Sequence, residues 1–205
     1  DIYLLESHGC HILFLPSVDE MYPNGQELKT PYDLGEIEHI LEGEFRPGHF
    51  QGVCQVVHRL LNIVQPDQLF MGQKDYQQIM VVQKMMVEKN INVEMIIVPT
   101  LRAENGLALS SRNARLDEKA KENALVLSKA LSNIKSNIDK MDFRLLEEEA
   151  KNEILNKGFS KVDYVSIRNA KDLTEVNKHG TSVPLVALTA AYIDGVRLID
   201  NMLLQ

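Results

Sequence analysis

A chain of 205 residues, 44% hydrophobic and 25% charged, is long enough to bury one large core or two small ones. Its 29 acidic against 22 basic residues leave a net charge of -7, which argues against a general nucleic-acid binder or a protein of anionic membrane surfaces. The longest apolar run, "PLVALTAAYI" (Pro184 to Ile193), has about half the length a membrane helix needs. No signal-peptide pattern is read at its start. Cys10 and Cys54 fit neither a metal spacing nor a disulfide framework. A soluble, cytoplasmic protein is expected, with a local basic pocket for a phosphorylated ligand still allowed.

The opening "DIYLLESHGCHILFLPS" reads as a helix end passing through Gly9 into a buried strand, His11 to Pro16. A sequence that begins inside a helix is expected to have an earlier part elsewhere. "GHFQGVCQVVHRLLNIVQPD" carries Phe50, Val53, Val57, Leu60, Leu61 and Val64 at helical spacing and stops at Gln65-Pro66. "QLFM" is a strand ending at Gly72, and "DYQQIMVVQKMMVEKN" is a helix with a broad apolar face. "VEMIIVP" (Val93 to Pro99) is again a buried strand. This alternation, with apolar strands, predicts a parallel sheet with helical crossovers.

The second half differs. Residues 117–135 predict a helix capped by Asp117, and "DFRLLEEEAKNEILNKG" a second one from Asp142 to Gly158. "KVDYVSIRN" and "PLVALTAAYIDGVRLIDNMLL" read as strands, with Asp194-Gly195 as a two-residue hairpin. An α/β domain with a parallel sheet over residues 1–100 and a smaller α+β domain over 101–205 are therefore expected, divided near the polar loop at 100–112.

Three segments bear on chemistry. Gly72-Gln73-Lys74-Asp75 sits where a parallel strand turns into a helix, the usual ligand position in open α/β sheets. The free N–H groups of that helix start favour an anion, and Lys74 adds a full charge. A solvated Lys-Asp pair is the alternative. "ALSSRNARL" (Ala108 to Leu116) places Ser110 and Ser111 before Arg112, a set of phosphate donors or else an N-capping serine cluster with a surface arginine. "EGEFRPGHFQG" (Glu42 to Gly52) projects Arg46 and His49 from a rigid corner, presenting positive charge or merely tying down the turn. His8 and His11 lack a third ligand nearby, so no metal site is expected there, and Met80, Met85 and Met86 read as core filler.

"SVDEMYPNG", "LEGEFRPGHFQGV", "LFMGQKDYQQ" and "GLALSSRNARL", in this order and spacing, resemble the pantoate–β-alanine ligases (pantothenate synthetases); "IVPT" and "RLIDN" match as well. The resemblance implies a Rossmann-like, HUP-type fold and ATP-dependent joining of pantoate to β-alanine through pantoyl adenylate, releasing pyrophosphate and AMP with Mg²⁺ assisting. It places Gly72, Gln73, Lys74, Asp75, Leu101, Leu109, Ser110, Ser111 and Arg112 at ATP, Gln78 at pantoate, and Arg46 and His49 behind them. It also implies a homodimer with neither nucleic acid nor membrane as partner. Gln73 stands where the family usually has glutamate, and Leu109 where methionine is frequent. The P-T-M-G-A-L-H-x-G-H motif of the family is not in these residues, so the 205-residue chain is expected to lack part of the site and to be poorly active. Two alternatives stay open: a related nucleotidyltransferase, and a folded fragment or dimerisation module with residual nucleotide affinity.

Overall fold

The computed structural model describes residues 2–176 and 182–204, and the chain divides into two units, Asp1–Pro31 and Tyr32–Gln205. In the first unit, helix α1 (Ile2–Ser7) runs to Gly9, which takes a left-handed φ of 75°. Helix α2 (Val18–Met21) opens on a reciprocal cap. Glu20 N donates to Ser17 Oγ, and Ser17 N donates back to Glu20 Oε2 at 2.7 Å. The strand expected at His11 to Pro16 is not formed: the segment is irregular, and Ile12 is 85% exposed. A strand persists only where a neighbour takes its N–H and C=O groups, and within this unit no ladder forms among the described residues.

The second unit begins with a 3-10 turn (Gly35–Glu38), then α3 (Glu42–Phe45) and α4 (His49–Val64). Gly48 precedes α4 in a left-handed conformation, and Gln65 ends it in another. Strand β1 (Gln68–Gly72) leads through a 3-10 turn (Gln73–Asp75) into α5 (Tyr76–Glu88), and β2 (Glu94–Val98) follows. The parallel sheet is the pair β1–β2, with Leu69 opposite Met95 and Met71 opposite Ile97. Full burial was expected for these apolar strands, yet Phe70 is 62% exposed and Ile97 and Val98 are also open. The expectation assumed cover on both sheet faces. Leu69 and Met71, of opposite parity to Phe70, are the half-buried residues of β1.

Helices α6 (Glu118–Asn137) and α7 (Phe143–Asn156) start where expected: Asp117 accepts from Ala120 N, and Asp142 from Arg144 N. Gly158, with φ of 90°, closes α7. Strands β3 (Lys161–Asn169), β4 (Leu185–Ile193) and β5 (Val196–Leu203) form an antiparallel sheet in that order. Both residues of the Asp194-Gly195 turn have positive φ, as a type I′ hairpin requires. The sheet is covered twice. Leu185, Ala187, Ala191 and Ile193 pack into a core with Leu127, Leu131, Leu146 and Ile154 of α6 and α7. Val186 and Leu188, on the other face of β4, pack with Leu41 and Leu173, against which Tyr76 and Met80 of α5 also lie. This double cover explains why β4 reads as an unbroken apolar run.

Two buried polar ties hold residues 35–46 in this second interface. Gln77 Nε2 donates to the carbonyls of Ile37 and Ile40 at 2.7 and 2.8 Å, and its Oε1 accepts from Glu42 N at 3.0 Å. The Glu42 carboxylate in turn takes Arg197 Nη1 at 2.8 Å and the Tyr164 hydroxyl at 2.7 Å, while Arg197 Nε donates to Asp163 at 2.8 Å. Burial pushes the Glu42 carboxyl up, but hydrogen bonding and charge from Arg197, with Tyr164 and Arg46, outweigh it and leave its pKa lowered.

Two outcomes are expected. A Cβ on Gly43 would overlap the Glu38 carbonyl, so Gly43→Ala should destabilise the protein by about 1–3 kcal/mol, the scale of overpacking, measured by denaturant unfolding. A carboxyl with a lowered folded pKa stabilises fully above its unfolded value, near 4.5 for Glu42, and loses that contribution as pH falls further. Glu42→Gln should therefore cost about 1.5–3 kcal/mol at neutral pH and flatten the acid limb of Tm against pH; an unchanged acid limb would contradict this assignment.

Candidate active site

Lys74 is the common wall of two small crevices. One lies against Ala108, Ser110 and Arg112 from the loop before α6, with Leu127 and Ser128 behind. The other lies against Glu42, Arg46 and His49, with Gln78 and Tyr164. Ile199 and Asp200 line both. The enclosed volumes are about 10 and 30 Å³, room for a water or two. The strand-to-helix turn and the Ser-Ser-Arg bend, well separated along the chain, thus meet at one lysine.

The turn is positioned from beyond itself. Asn201 Nδ2 donates to Gln73 O at 3.0 Å and to Lys74 O at 2.9 Å, and Gln73 Nε2 donates to Asn201 Oδ1 at 3.2 Å. Asp200 receives both arms of the Arg102 guanidinium, at 2.7 and 2.8 Å, the bidentate geometry that makes such pairs directional. Arg102 also donates to Gly106 O and Asn201 O, both at 3.2 Å. Arg102 belongs to a short antiparallel loop: Ala103 N bonds Leu107 O, and Leu109 N bonds Leu101 O at 2.9 Å. The loop thereby carries Arg102 to Asp200, which also lines both crevices.

The Lys74 ammonium is held in a partly dry place. Burial first, then Arg112, pushes its pKa below the ordinary lysine value; Asp75, Asp200 and Glu42 pull it back through space rather than by hydrogen bonds. Its side chain borders both crevices. Ser110 caps the 3-10 turn Ser111–Arg115, accepting from Arg112 N at 3.2 Å. Arg112 Nη1 donates to Arg197 O at 3.2 Å. The capping alternative is therefore present in the geometry, and it leaves the Ser110 hydroxyl proton and the remaining Arg112 donors available.

Of the residues singled out in the sequence, Lys74, Ser110 and Arg112 share one crevice, and Lys74, Asp75, Gln78, Arg46 and His49 share the other. Gly72 ends β1, Gln73 is occupied with Asn201, and Ser111 is exposed at the start of its turn. Leu101 and Leu109 pair through their backbones, with the Leu101 side chain 72% exposed. At the corner that carries Arg46 and His49, burial first, then Arg46 and Arg112, lowers the His49 pKa. His49 Nε2 accepts from Arg46 Nη1 at 3.0 Å, the contact that the turn-tying alternative describes. The charge at that corner belongs to Arg46.

Gln77, Arg102, Arg197, Asp200 and Asn201 escaped residue-by-residue reading. A signal existed for two of them. Gln77 falls in line with Val81 and Met85, which are buried on α5. Asp200 shares strand parity with Val196 and Leu198. A polar side chain on an apolar stripe needs a partner, and the partner is what holds the site together.

Among the described residues, no three His, Cys, Asp or Glu side chains stand together to hold a metal ion. The buried carboxylates, Glu42 and Asp200, are committed to arginines, so these residues do not fit a protein-held cation. Among the described residues, no helix is long and apolar enough to cross a membrane.

Comparison with known proteins gives this geometry a context. The family model for pantoate-beta-alanine ligase matches residues 1–203. A pantothenate synthetase of Cytophaga hutchinsonii is 39% identical over 206 residues, covering all of this chain and 72% of the relative. A crystal structure of pantothenate synthetase from Thermus thermophilus superposes with a TM-score of 0.90 at 34% identity, over 99% of this chain and 73% of that one. A pantoate-beta-alanine ligase from Francisella tularensis, crystallised with beta-gamma ATP and beta-alanine, matches with a TM-score of 0.79 at 37% identity, over 100% of this chain and 69% of that one. A Rossmann-like parallel sheet with helices, an antiparallel C-terminal sheet and these matches together place the chain in the pantoate–β-alanine ligase family.

Proposed function

We propose that this chain takes part in the ATP-dependent ligation of pantoate and β-alanine for pantothenate biosynthesis, by way of pantoyl adenylate. The observation that carries the reading is the double exposure of Lys74: one crevice beside it is lined by Ser110 and Arg112, the other by Gln78, Arg46 and His49. Phosphate donors and acid-binding groups thus flank a single ammonium.

In this reading a pantoate carboxylate oxygen attacks the α-phosphorus of ATP, and the bond from that phosphorus to the bridging oxygen breaks, releasing pyrophosphate. The amine of β-alanine then attacks the acyl carbon, loses its proton, and AMP leaves. Lys74 stabilises charge growing on the phosphate oxygens without giving up a proton, which a partly desolvated ammonium does well. Ser110, Ser111 and Arg112 grip the outer phosphates. Gly72, Gln73, Asp75, Leu101 and Leu109 border the nucleotide, and Gln78 holds pantoate. Arg46 steadies the acid side with His49. Mg²⁺ would arrive on the nucleotide, neutralising phosphate charge, and no step is routed through it. We also place the nucleotide-binding part in residues 1–100 and a lid in 101–205, and read the protein as a cytoplasmic homodimer.

Two measurements test this. Calorimetric titration with ATP should show Lys74→Ala weaker by about 1.5–3 kcal/mol, the scale of a charge-assisted hydrogen bond; equal affinity would remove Lys74 from the site. Pyrophosphate exchange that depends on another hydroxy acid, and not on pantoate, would favour a different nucleotidyltransferase. Separately, the 205-residue chain alone should form negligible pantothenate, because the histidine-bearing motif described above is not among its residues; turnover near that of a full-length relative would refute this.

A further inference from the structure

We propose that Asn201 is a positioning residue for Lys74, setting the lysine's height in the crevice through the backbone of the Gln73-Lys74 turn; this rests on the phosphate-binding role proposed for Lys74. The turn has little to hold it locally. It is a three-residue 3-10 stretch, Gln73–Asp75, without a side-chain cap at either the turn or the start of α5. Two of its three carbonyls are instead taken by one side chain from 127 and 128 positions away, with the Asn201 amide donating to Lys74 O and Gln73 O. A third bond returns from Gln73 Nε2 to Asn201 Oδ1.

The amide is itself locked. Asn201 is 2% exposed and Asp200 3%. The Asp200 carboxylate accepts from Asn201 N at 2.8 Å, while Arg102 donates to both the Asp200 carboxylate and Asn201 O. A buried side chain with all its partners fixed transmits position because none of its bonds can be given up cheaply. The consequence falls on Lys74, whose partial desolvation depends on how deep the turn sits. Contact with substrate is not required of Asn201, although it borders the crevice with Gln78 and Arg46.

The test is a double-mutant cycle on the 205-residue chain, reading ATP affinity by calorimetry for the parent, Lys74→Ala, Asn201→Ala and the double variant. If Asn201 acts through Lys74, each single change weakens ATP by about tenfold or more, and the double variant is at most about threefold weaker than Lys74→Ala. Losses that multiply would overturn the proposal. A second readout does not need the nucleotide: the titration of ¹³C-dimethylated Lys74, followed by NMR. Asn201→Ala should return it toward the ordinary lysine range, and a titration unmoved by that change overturns the proposal even if ATP binding falls. Should Lys74→Ala leave ATP affinity intact, the phosphate-binding role fails, while the NMR shift still decides whether Asn201 sets the lysine's environment. If Asn201→Ala does not fold, Gln73→Ala breaks only the returning bond. It should shift the Lys74 titration in the same direction by a smaller amount, and no shift there overturns the proposal.

Discussion

Two adjacent side chains on one strand hold the candidate site together. Asp200 and Asn201 are almost fully buried within β5. One fixes Arg102 and its loop; the other fixes the turn that bears Lys74. The turn has no side-chain cap of its own, and the loop, though paired within itself, is tied to β5 through Arg102. Burying an aspartate and an asparagine is costly unless every bond is satisfied. Here the satisfying partners are the backbone groups and the guanidinium that the site needs in place. The requirement for saturation and the requirement for geometry are met by the same contacts.

A second buried charge works on the opposite wall. Glu42 follows Leu41, a bulky residue at φ 48°, a conformation that costs energy and persists only where its surroundings insist on it. Gln77 bonds the loop on both sides of that residue, and Arg197 and Tyr164 close on the Glu42 carboxylate. Arg46 and His49 therefore leave a segment anchored to both α5 and the antiparallel sheet. Arg197 belongs to both walls, since its carbonyl receives Arg112 while its guanidinium holds Glu42 and Asp163. One residue of β5 thus contacts both the Ser-Ser-Arg bend and the Glu42 wall.

The elements most legible in the sequence were those whose stability is local. Asp117 and Asp142 cap their helices, Gly158 closes one, and Asp194-Gly195 makes the hairpin, because caps and tight turns depend on a few neighbouring atoms. His11 to Pro16 failed for the complementary reason. An apolar segment is a strand only when something pairs with it. Phe70 and Ile97 likewise have strand chemistry without the cover that full burial would need.

The sequence by itself determined the family, and it picked out Lys74 at a strand-to-helix turn and Ser110, Ser111 and Arg112 in one bend as candidate residues, since these are local patterns with a chemical meaning of their own. It also determined most helix starts and the hairpin. Only the tertiary structure decided that these pieces converge on Lys74, that His49 accepts from Arg46, and that Gln77, Arg197, Asp200 and Asn201 hold the walls. Those are properties of pairs far apart in the chain. A buried polar residue announces that it needs a partner, but the identity of that partner is settled only when strands and helices close over it.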